Sequence, residues 1–361
     1  MAELVDAHDS KSCSFGSVGS IPTFGTMNFF TLIIIGYIVI ASIVILILVR
    51  DLFFSETEMT KNPASQSRRK KYYFKKWISW TFIIVLGLGI VMAIDARFIE
   101  PYLLVINTKS IKISNLKNPI KIILVTDIQV SEFKKQDWVE KIVKKIEAVN
   151  PDLVLLGGDQ IDNEGTNLDE SQYLEPLREL VGKYPIYYIL GNHEYGIGGA
   201  ARYTTSLQTG DKSDWLKTEM AEIGIPLLQN QLVCPEVKKE KICIFGADEI
   251  WKKPINFSDL KKWNPNDPLL FLVHNPDGAM YWPDNFLKPN LVLAGHTHGG
   301  QIRLPFVGPL GSAPTDLPKN FYKGLNYYHS IPVFTSVGAG ESGGPIRFLD
   351  PPEISVIELV P

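Results

Sequence analysis

The stretch that decides the fold is I-I-L-V-T-D-I-Q-V-S-E-F-K-K-Q-D-W-V-E-K-I-V-K-K-I-E-A-V-N-P-D-L-V-L-L-G-G-D, residues 122–159. It opens and closes with apolar runs of strand length, 122–125 and 153–156, each followed by polar or glycine residues. Between them lies a helical pattern with lysines on its polar face, which Asn150-Pro151 ends. The apolar positions of that helix are Trp138, Ile142, Ile146 and Val149. The pattern predicts a β-α-β unit.

Three more apolar runs, 186–190, 269–273 and 291–294, have the length of buried strands. Runs that are apolar on both faces are typical of a sheet covered on both sides. Ligands of such folds bind at the carboxyl ends of the strands. We therefore expect the segments that follow the five runs to meet at one site. These segments are V-T-D-I-Q (125–129), G-G-D (157–159), G-N-H-E (191–194), V-H-N (273–275) and G-H-T-H-G-G-Q (295–301).

The five segments contain four of the six histidines of the chain, together with carboxylates and amides. Such donors suit Mn²⁺, Fe²⁺ or Zn²⁺. Two ions ~3.5–4 Å apart would clamp phosphoryl oxygens and activate a water, and Asp159 is the natural candidate to bridge them. No cysteine lies in the segments, which makes a structural zinc site improbable. The candidate residues are Asp127, Gln129, Asp159, Asn192, His193, His274, His296 and His298.

No single member of this set is decisive, because a lone Asp after a strand is most often a turn or cap residue. The hypothesis of a two-metal site depends on the occurrence of all these residues together. Acidic residues near the segments are expected to support the site or to lie at the surface, namely Asp162, Glu194 and Asp277. Arg303 and Arg347 have two open interpretations, substrate phosphate binding or an ordinary salt bridge.

With these ordered segments the chain resembles the calcineurin-like metallophosphoesterases, in particular the membrane-associated bacterial branch related to the YaeI and YkuE phosphoesterases. The similarity covers roughly residues 100–361. It implies an α/β fold, a four-layer α/β/β/α sandwich of two mixed sheets. It also implies a role for each candidate: Asp127 and His298 ligate the first metal, Asp159 bridges both, Asn192, His274 and His296 complete the second, and His193 is the general acid or transition-state stabiliser.

One position departs from the family pattern, whose first motif is Asp-x-His where this chain has Asp127-Ile128-Gln129. A Gln carbonyl binds transition metals less strongly than imidazole does. The first site should therefore be weaker and richer in oxygen, which favours Mn²⁺ as the ion, with Fe²⁺, Zn²⁺ or Mg²⁺ as the other options. The alternative is a degenerate, inactive site.

The first hundred residues carry a second signal, two uncharged apolar runs of 21 and 18 residues. A helix needs ~20 residues to cross a bilayer. The sequence therefore predicts an N-terminal tail (1–28), a transmembrane helix (29–49), a basic loop (50–76), a second transmembrane helix (77–94) and a metallophosphoesterase domain (100–361). A buried core helix is the alternative for the second run.

Charge predicts the orientation of these spans. The predicted loop 50–76 holds eight Lys and Arg residues, whereas residues 1–28 hold only Lys11. The positive-inside rule puts the loop in the cytoplasm, which gives a multi-pass protein with its catalytic domain outside. If the second run fails to insert, the domain lies in the cytoplasm. The basic stretch 68–76 is expected to meet anionic lipid headgroups.

Two smaller patterns leave alternatives or can be dismissed. Cys234 and Cys243 flank a possible hairpin with Lys238-Lys239 at its tip. They would form a disulfide outside the cell, or they are two small apolar strand residues. The string G-E-S-G-G at 340–344 matches the serine-hydrolase elbow, but no helix is expected after it and no His follows His329, so the match is read as accidental.

The functional prediction is a membrane-anchored two-metal phosphoesterase that uses metal-activated hydroxide on a phosphoester or pyrophosphate bond. The substrate is expected to be a phosphorylated small molecule or lipid, in particular a lipid-linked or envelope-precursor phosphate. Residues 195–215 are expected to form the wall of the site that determines substrate specificity. Two alternatives remain: a UDP-2,3-diacylglucosamine pyrophosphatase of lipid A synthesis, which the resemblance admits, and a non-catalytic membrane receptor for a phosphorylated ligand. The sequence shows no basic groove signature, so no nucleic-acid partner is expected.

Overall fold

The computed structural model describes most of the chain and all of the predicted candidate residues. The predicted N-terminal tail, with Lys11, lies outside the described residues, as does the middle of the predicted specificity wall (199–208). The described residues are 29–61, 66–114, 116–163, 169–198 and 209–361.

Two long helices begin the structure, α1 (Phe29–Lys61) and α2 (Gln66–Ile94). They pack antiparallel: Lys76 and Glu56 form a 3.0 Å salt bridge near one end. Closer to the other end, the Tyr37 hydroxyl occupies the space that a Cβ at Gly89 would need. Both helices are long and apolar enough to cross a membrane by length and composition, with mean hydropathies of 3.3 and 2.3 over their most apolar windows. Those windows are at most 6% buried in the protein, which excludes the core-helix interpretation.

The helices extend beyond the predicted spans. Residues 50–61 and 66–76 are helical, although the sequence pattern predicted a basic loop over 50–76. The prediction of a loop was wrong because hydropathy locates the apolar stretch, whereas Lys, Arg and Glu propagate a helix as readily as Leu does. The predicted apolar spans, 29–49 and 77–94, lie entirely within the two helices.

A π-helical turn (Asp95–Ile99) and a 3₁₀ turn (Glu100–Tyr102) join α2 to the first of two sheets. This sheet has mixed strand directions, because β15 (Glu353–Val360) runs parallel to β1 (Val105–Lys112) and antiparallel to β2 (Ile120–Val125). Its spatial order is β1 (Val105–Lys112), β15 (Glu353–Val360), β2 (Ile120–Val125), β3 (Leu153–Gly157) and β4 (Ile186–Ile189).

The predicted β-α-β unit is present. Strands β2 and β3 are parallel neighbours, with Ile122 paired to Leu153, and α3 (Gln136–Val149) crosses between them. Asn150 ends the helix in a left-handed conformation, φ +49°. The apolar side of α3 packs on the outer face of the sheet, as the sequence predicted.

The second sheet is also mixed, with a parallel centre and antiparallel edges. Its order is β13 (Gly324–Tyr328), β14 (Ile331–Thr335), β10 (Leu291–Ala294), β9 (Leu269–Leu272), β8 (Cys243–Gly246) and β5 (Gln231–Val233). The inner faces of the two sheets share one apolar core, in which Leu124 and Leu155 pack with Leu270 and Leu293.

Helices cover the outer faces, so the layered α/β fold is confirmed. The first sheet carries α3, α4 (Ser213–Ile223) and a 3₁₀ helix at 170–180. The described part of the second sheet's outer layer is made of short 3₁₀ turns, 257–262 and 276–281, which cover a core of aromatic side chains such as Phe271.

The predicted hairpin around Lys238-Lys239 is also present. Strands β6 (Glu236–Val237) and β7 (Glu240–Lys241) pair antiparallel, and both lysines of the tip have positive φ. The hairpin brings Cys234 and Cys243 to a Cα separation of 4.0 Å, and the two form a disulfide. Of the two alternatives, the structure therefore has the bridge.

Candidate metal centre

The ends of the parallel strands bring the predicted residues together, although they are far apart in sequence. One group whose ligand atoms all lie within 4.8 Å of one another is Asp159, His274 and His296. A second group with the same property is Asp127, Asp159 and His298. Asp159 belongs to both groups, which is the position that a bridging carboxylate requires.

Each of the three imidazoles has one ring nitrogen next to a backbone carbonyl. The Nδ1 atom of His274 lies 2.9 Å from Gly157 O, and the Nδ1 atom of His298 lies 3.2 Å from Gly340 O. For His296 the pair is Nε2 and Pro314 O, at 3.3 Å. A carbonyl only accepts, so each of these nitrogens carries the proton. The other nitrogen of each ring then faces the cluster as a lone pair, which is how metal-ligating histidines are oriented.

The inward-facing atoms are nearly all acceptors. The Oδ1 atom of Asn192 lies 3.1 Å from His274 Nε2 and 2.8 Å from His296 Nδ1, because its own amide group donates to Ile197 O. The two imidazole nitrogens are 3.3 Å apart, and Asp159 Oδ2 lies 3.0 Å from His274 Nε2. Lone pairs gathered in this way are stabilised by a cation between them, so the donor set fits two divalent ions.

The electrostatics of the buried cluster point in the same direction. Burial opposes ionisation of Asp159, but the neighbouring His274 and His193 outweigh it and lower the pKa of this carboxyl below its usual range. Burial, together with the charge of His274, holds the pKa of His296 well below its usual value. Burial also lowers the pKa of His298. Burial lowers the pKa of His274 too, but the Asp159 carboxylate outweighs it and raises this pKa well above its usual value. The ionised Asp159 and the neutral His296 and His298 are therefore in the state that metal binding requires, whereas a metal must displace a proton from His274.

The backbone at the site is unusual for non-glycine residues. Left-handed φ values occur at Asp127 (+51°), Gln129 (+51°), Asp159 (+53°), His296 (+70°) and His298 (+48°). Such conformations are uncommon outside glycine, and they cluster at functional sites where the surrounding structure enforces them. Five of the eight predicted residues share this conformation, which turns their side chains inward directly after the strand ends.

Gly191 is required by the close approach of two loops. A Cβ at this position would overlap the Oδ1 atom of Asp159. The same loop contains Glu194, whose buried carboxylate accepts hydrogen bonds from the backbone N–H groups of Gly191 (2.7 Å), Asp159 (3.1 Å) and Gln160 (2.6 Å). Glu194 therefore fixes the loop of Asp159 against the loop of Asn192. Of its two predicted roles, support of the site or a place at the surface, it has the supporting one.

His193 lies at the mouth of the site and is oriented by Asp162. Its Nδ1 atom is 2.5 Å from Asp162 O, and its Nε2 atom is 4.0 Å from Asp159 Oδ2. Burial lowers the pKa of His193, but the nearby Asp159 and Asp162 carboxylates outweigh it, so the net shift is upward. When His193 is protonated, its Nε2 atom can donate a proton to the leaving-group oxygen of a substrate.

Ser342 of the G-E-S-G-G string lies next to this histidine, with Oγ 3.3 Å from His193 Nε2. No helix follows it, so the geometry of a nucleophile elbow is absent from this part of the described chain. The string was rightly rejected as an elbow, yet sequence reasoning missed that its serine lines the site.

The side chain of Gln129 lies next to the group formed by Asp127, Asp159 and His298. Its Nε2 atom lies 3.2 Å from Asp159 Oδ2, and its Oε1 atom is buried with no hydrogen-bond partner among the described residues. A buried acceptor without a partner is costly. Rotation of the amide about its last torsion would bring Oε1 among the metal-facing oxygens, so Gln129 has the position of a ligand.

Arg303 and Arg347, for which the sequence left phosphate binding or a salt bridge open, have different surroundings in the structure. Arg347 is fully buried and binds Glu341, Gly340 O and Val337 O, so the salt-bridge interpretation holds for it. Arg303 donates to Gly299 O at 2.6 Å and thereby holds the loop that follows His298. Neither guanidinium lines the cavity of about 260 Å³ at the site.

Several residues at the site carried no signal of their own in the sequence. Trp251 packs edge-to-face against His296, with ring centroids 4.8 Å apart. Gln301 accepts a hydrogen bond from the backbone N–H of Ser342 and lines the cavity.

Asp277 was predicted to support the site or to lie at the surface. It is buried and accepts hydrogen bonds from the backbone N–H groups of Asp316 and Leu317, which holds the loop next to the cavity.

Comparison with known proteins agrees with this geometry. The model of the calcineurin-like phosphoesterase family matches residues 120–300, which is half of the chain and includes all the candidate residues. The chain belongs to the calcineurin-like phosphoesterases. It is accordingly a metal-dependent phosphoester hydrolase, and its fold can hold two divalent metals.

Curated relatives support the predicted branch. The metallophosphoesterase YkuE of Bacillus subtilis is 29% identical over 73% of this chain and 88% of its own length. The phosphodiesterase YaeI of Escherichia coli is 29% identical over 67% of this chain and 83% of its own length. A metallophosphoesterase of Helicobacter pylori is 32% identical over 70% of this chain, which spans 62% of that protein.

Proposed function

We propose that this calcineurin-like phosphoesterase is anchored in a membrane and hydrolyses a phosphoester or pyrophosphate bond of a lipid-linked or envelope-precursor substrate. The observation that carries the catalytic part is the pair of ligand groups that share Asp159, with His193 at the mouth of the same cavity. The proposed ligands of the first ion are Asp127, Gln129, Asp159 and His298, and those of the second are Asp159, Asn192, His274 and His296.

Two divalent ions bound there would clamp phosphoryl oxygens and lower the pKa of a water. The residues do the rest. His193, held by its Nδ1–H to the Asp162 carbonyl, gives a proton from Nε2 to the leaving-group oxygen. Gln129 in place of a histidine makes the first site richer in oxygen, and oxygen donors favour Mn²⁺ over Zn²⁺.

The proposed membrane anchoring rests on the two exposed apolar helices and on where they end. The Phe30 ring, at the start of α1, packs against Gly344. The backbone N–H of Arg347 donates to the carbonyl oxygen of Ala96, two residues after the end of α2, at 2.9 Å. The first residues of α1 and the residues just after α2 thus contact the segment 344–347, which follows Ser342 of the cavity wall. A phosphate at a bilayer surface would lie close to this cavity, which favours a lipid-linked substrate.

An extracytoplasmic catalytic domain is the proposed topology. It agrees with the charge distribution around the helices. The Cys234–Cys243 disulfide adds support, because such bridges persist in oxidising compartments. A reporter fused to the C-terminus tests the topology: an outward reporter supports it, whereas a cytoplasmic reporter would favour the nucleotide-linked UDP-2,3-diacylglucosamine reaction instead.

Turnover of an aryl phosphodiester by the detergent-solubilised full chain, titrated with Mn²⁺, tests the catalytic proposal. We expect metal-dependent activity that Asp159→Ala abolishes, while an exposed carboxylate outside the site, changed in Glu140→Ala on α3, leaves it unaltered. Absence of turnover with every divalent metal, combined with phosphate binding that survives, would favour the receptor alternative.

A further inference from the structure

An apolar hairpin projects beside the site. Strands β11 (Arg303–Leu304) and β12 (Gly308–Pro309) pair antiparallel, and Phe306 and Val307 form the tip. Phe306 is fully exposed and has a left-handed φ of +65°, and Val307 is 67% exposed. An isolated exposed apolar residue needs no explanation, but a projecting pair on a built hairpin marks a surface for interaction.

The hairpin is attached to the same segment as the end of α2. Its base residue Arg303 donates a backbone hydrogen bond to Phe348 O at 2.9 Å. The preceding residue, Arg347, donates to Ala96 O. Two consecutive residues, Arg347 and Phe348, therefore hold the segment after α2 and the base of the hairpin, so the hairpin base lies close to the point where α2 leaves the catalytic domain.

Further exposed apolar side chains lie in the segments next to these attachment points, just after α2, just after β12 and next to Phe348. They are Phe98, Ile99, Leu103, Leu310 and Leu349, each between 44% and 54% exposed. Cations flank the hairpin base: the Lys319 ammonium binds Pro309 O at 3.1 Å, and Arg303 is only partly buried. Apolar tips with basic residues behind them are typical of surfaces that enter the lipid headgroup region.

We propose that the Phe306–Val307 tip inserts into the membrane interface and holds the mouth of the metal centre against the bilayer. The inference rests on the proposed membrane anchoring, and it deepens the proposed function. Residues 311–314 follow the hairpin directly and line the cavity, and Pro314 O contacts His296 Nε2. The substrate class that suits this arrangement is a phosphate headgroup that is cleaved while its acyl or isoprenoid chains remain in the membrane.

Spin labels test the depth of the tip. The full chain carrying Cys13→Ser leaves Cys234 and Cys243, which are bridged, so one label can be placed at Phe306→Cys. Labels at Leu46→Cys in α1 and Leu287→Cys, exposed on the loop before β10, serve as lipid and water controls. In phosphatidylcholine–phosphatidylglycerol vesicles we expect position 306 to be accessible to oxygen and shielded from a polar nickel reagent, as in lipid.

The three labels separate the possible outcomes. Lipid-like values at 46 and water-like values at 306 would overturn the insertion and leave the anchoring intact. Water-like values at both positions would overturn both. Aryl phosphodiester turnover in the same samples reports on the phosphoesterase independently of either result.

An activity comparison completes the test. The double variant Phe306→Ser, Val307→Ser should turn over a vesicle-embedded lipid phosphate at least about tenfold more slowly than the wild type, because insertion is lost. Turnover of a soluble aryl phosphodiester should be unchanged. Tyr327→Ser on β13, where the side chain is about as exposed as that of Val307, is the control and should alter neither rate. Equal losses on the lipid and soluble substrates would overturn the proposal.

Discussion

The amide nitrogen of Gln129 lies 3.2 Å from the Oδ2 atom of Asp159, the carboxylate shared by both ligand groups. The Asp-x-His motif that the resemblance implies would place a histidine at this position. The contact leaves the Gln129 carbonyl oxygen buried and without a partner among the described residues. In the proposed first metal site, this amide would supply only a neutral oxygen.

Gln129→His should tighten metal binding at the first site and keep or raise activity, because imidazole binds transition metals more strongly than an amide carbonyl does. Calorimetric titration of the chelated protein with Mn²⁺ and Zn²⁺ measures the affinity, and the gain should be larger for Zn²⁺. Complete loss of activity would count against Gln129 as a ligand and would indicate a separate role for it.

His193→Gln should lower kcat by ~10²–10⁴-fold on an alkyl phosphodiester, the range typical of a lost general acid. The loss should be much smaller with a p-nitrophenyl substrate, whose leaving group needs no proton. Metal content should remain that of the wild type. An equal loss on both substrates would show that His193 does not protonate the leaving group.

The activity at high pH should depend on Asp162. Burial lowers the pKa of His193, but the carboxylates of Asp159 and Asp162 outweigh it and raise the pKa above its usual value. Because the protonated imidazole is the acid, activity falls as pH rises through this raised pKa. Asp162→Asn removes one negative charge, so the alkaline limb of the kcat profile should move to lower pH, whereas an unmoved limb would assign it to another group.

Gly191→Ala should impair metal binding, because the new Cβ would overlap Asp159 Oδ1. Mutation of a residue that positions a metal ligand typically costs ~10–100-fold in metal affinity or activity. Gly198→Ala is the matched control, since a Cβ there meets nothing within 4 Å. If the two variants bind Mn²⁺ equally well, the close approach of the loops is not what positions Asp159.

Glu249 should make the metal-free protein less stable at high pH. Burial raises the pKa of this carboxyl to about 7 from 4.5. Below pH 4.5 both folded and unfolded states hold the proton; between 4.5 and 7 only the unfolded state loses it, so stability falls until pH 7. Glu249→Gln should therefore gain about 3 kcal/mol in free energy of unfolding at pH 8 and nothing at pH 4. Denaturant unfolding with a chelator at both pH values measures this, and an equal gain at both would contradict the pKa shift.

Local patterns in the sequence predicted the fold well. The apolar runs of β2 and β3 and the period of α3 are properties of neighbouring residues, and strands of this kind place Asp127 and Asp159 at one edge of a sheet. The predicted loop at 50–76 failed for a local reason too, since hydropathy carries no information on where a charged helix ends. The neighbours Ser342 and Trp251 could not be predicted, because their contacts with His193 and His296 join distant segments.

The sequence by itself determined which donors the site has and that they follow buried strands, because side-chain type and strand pattern are encoded locally. Only the tertiary structure decided how those donors face. The proton of His274 is placed by Gly157 O, that of His298 by Gly340 O and that of His296 by Pro314 O. Each carbonyl comes from a segment that folding alone brings next to the ring, so the tautomers and the inward lone pairs exist only once the two sheets have packed.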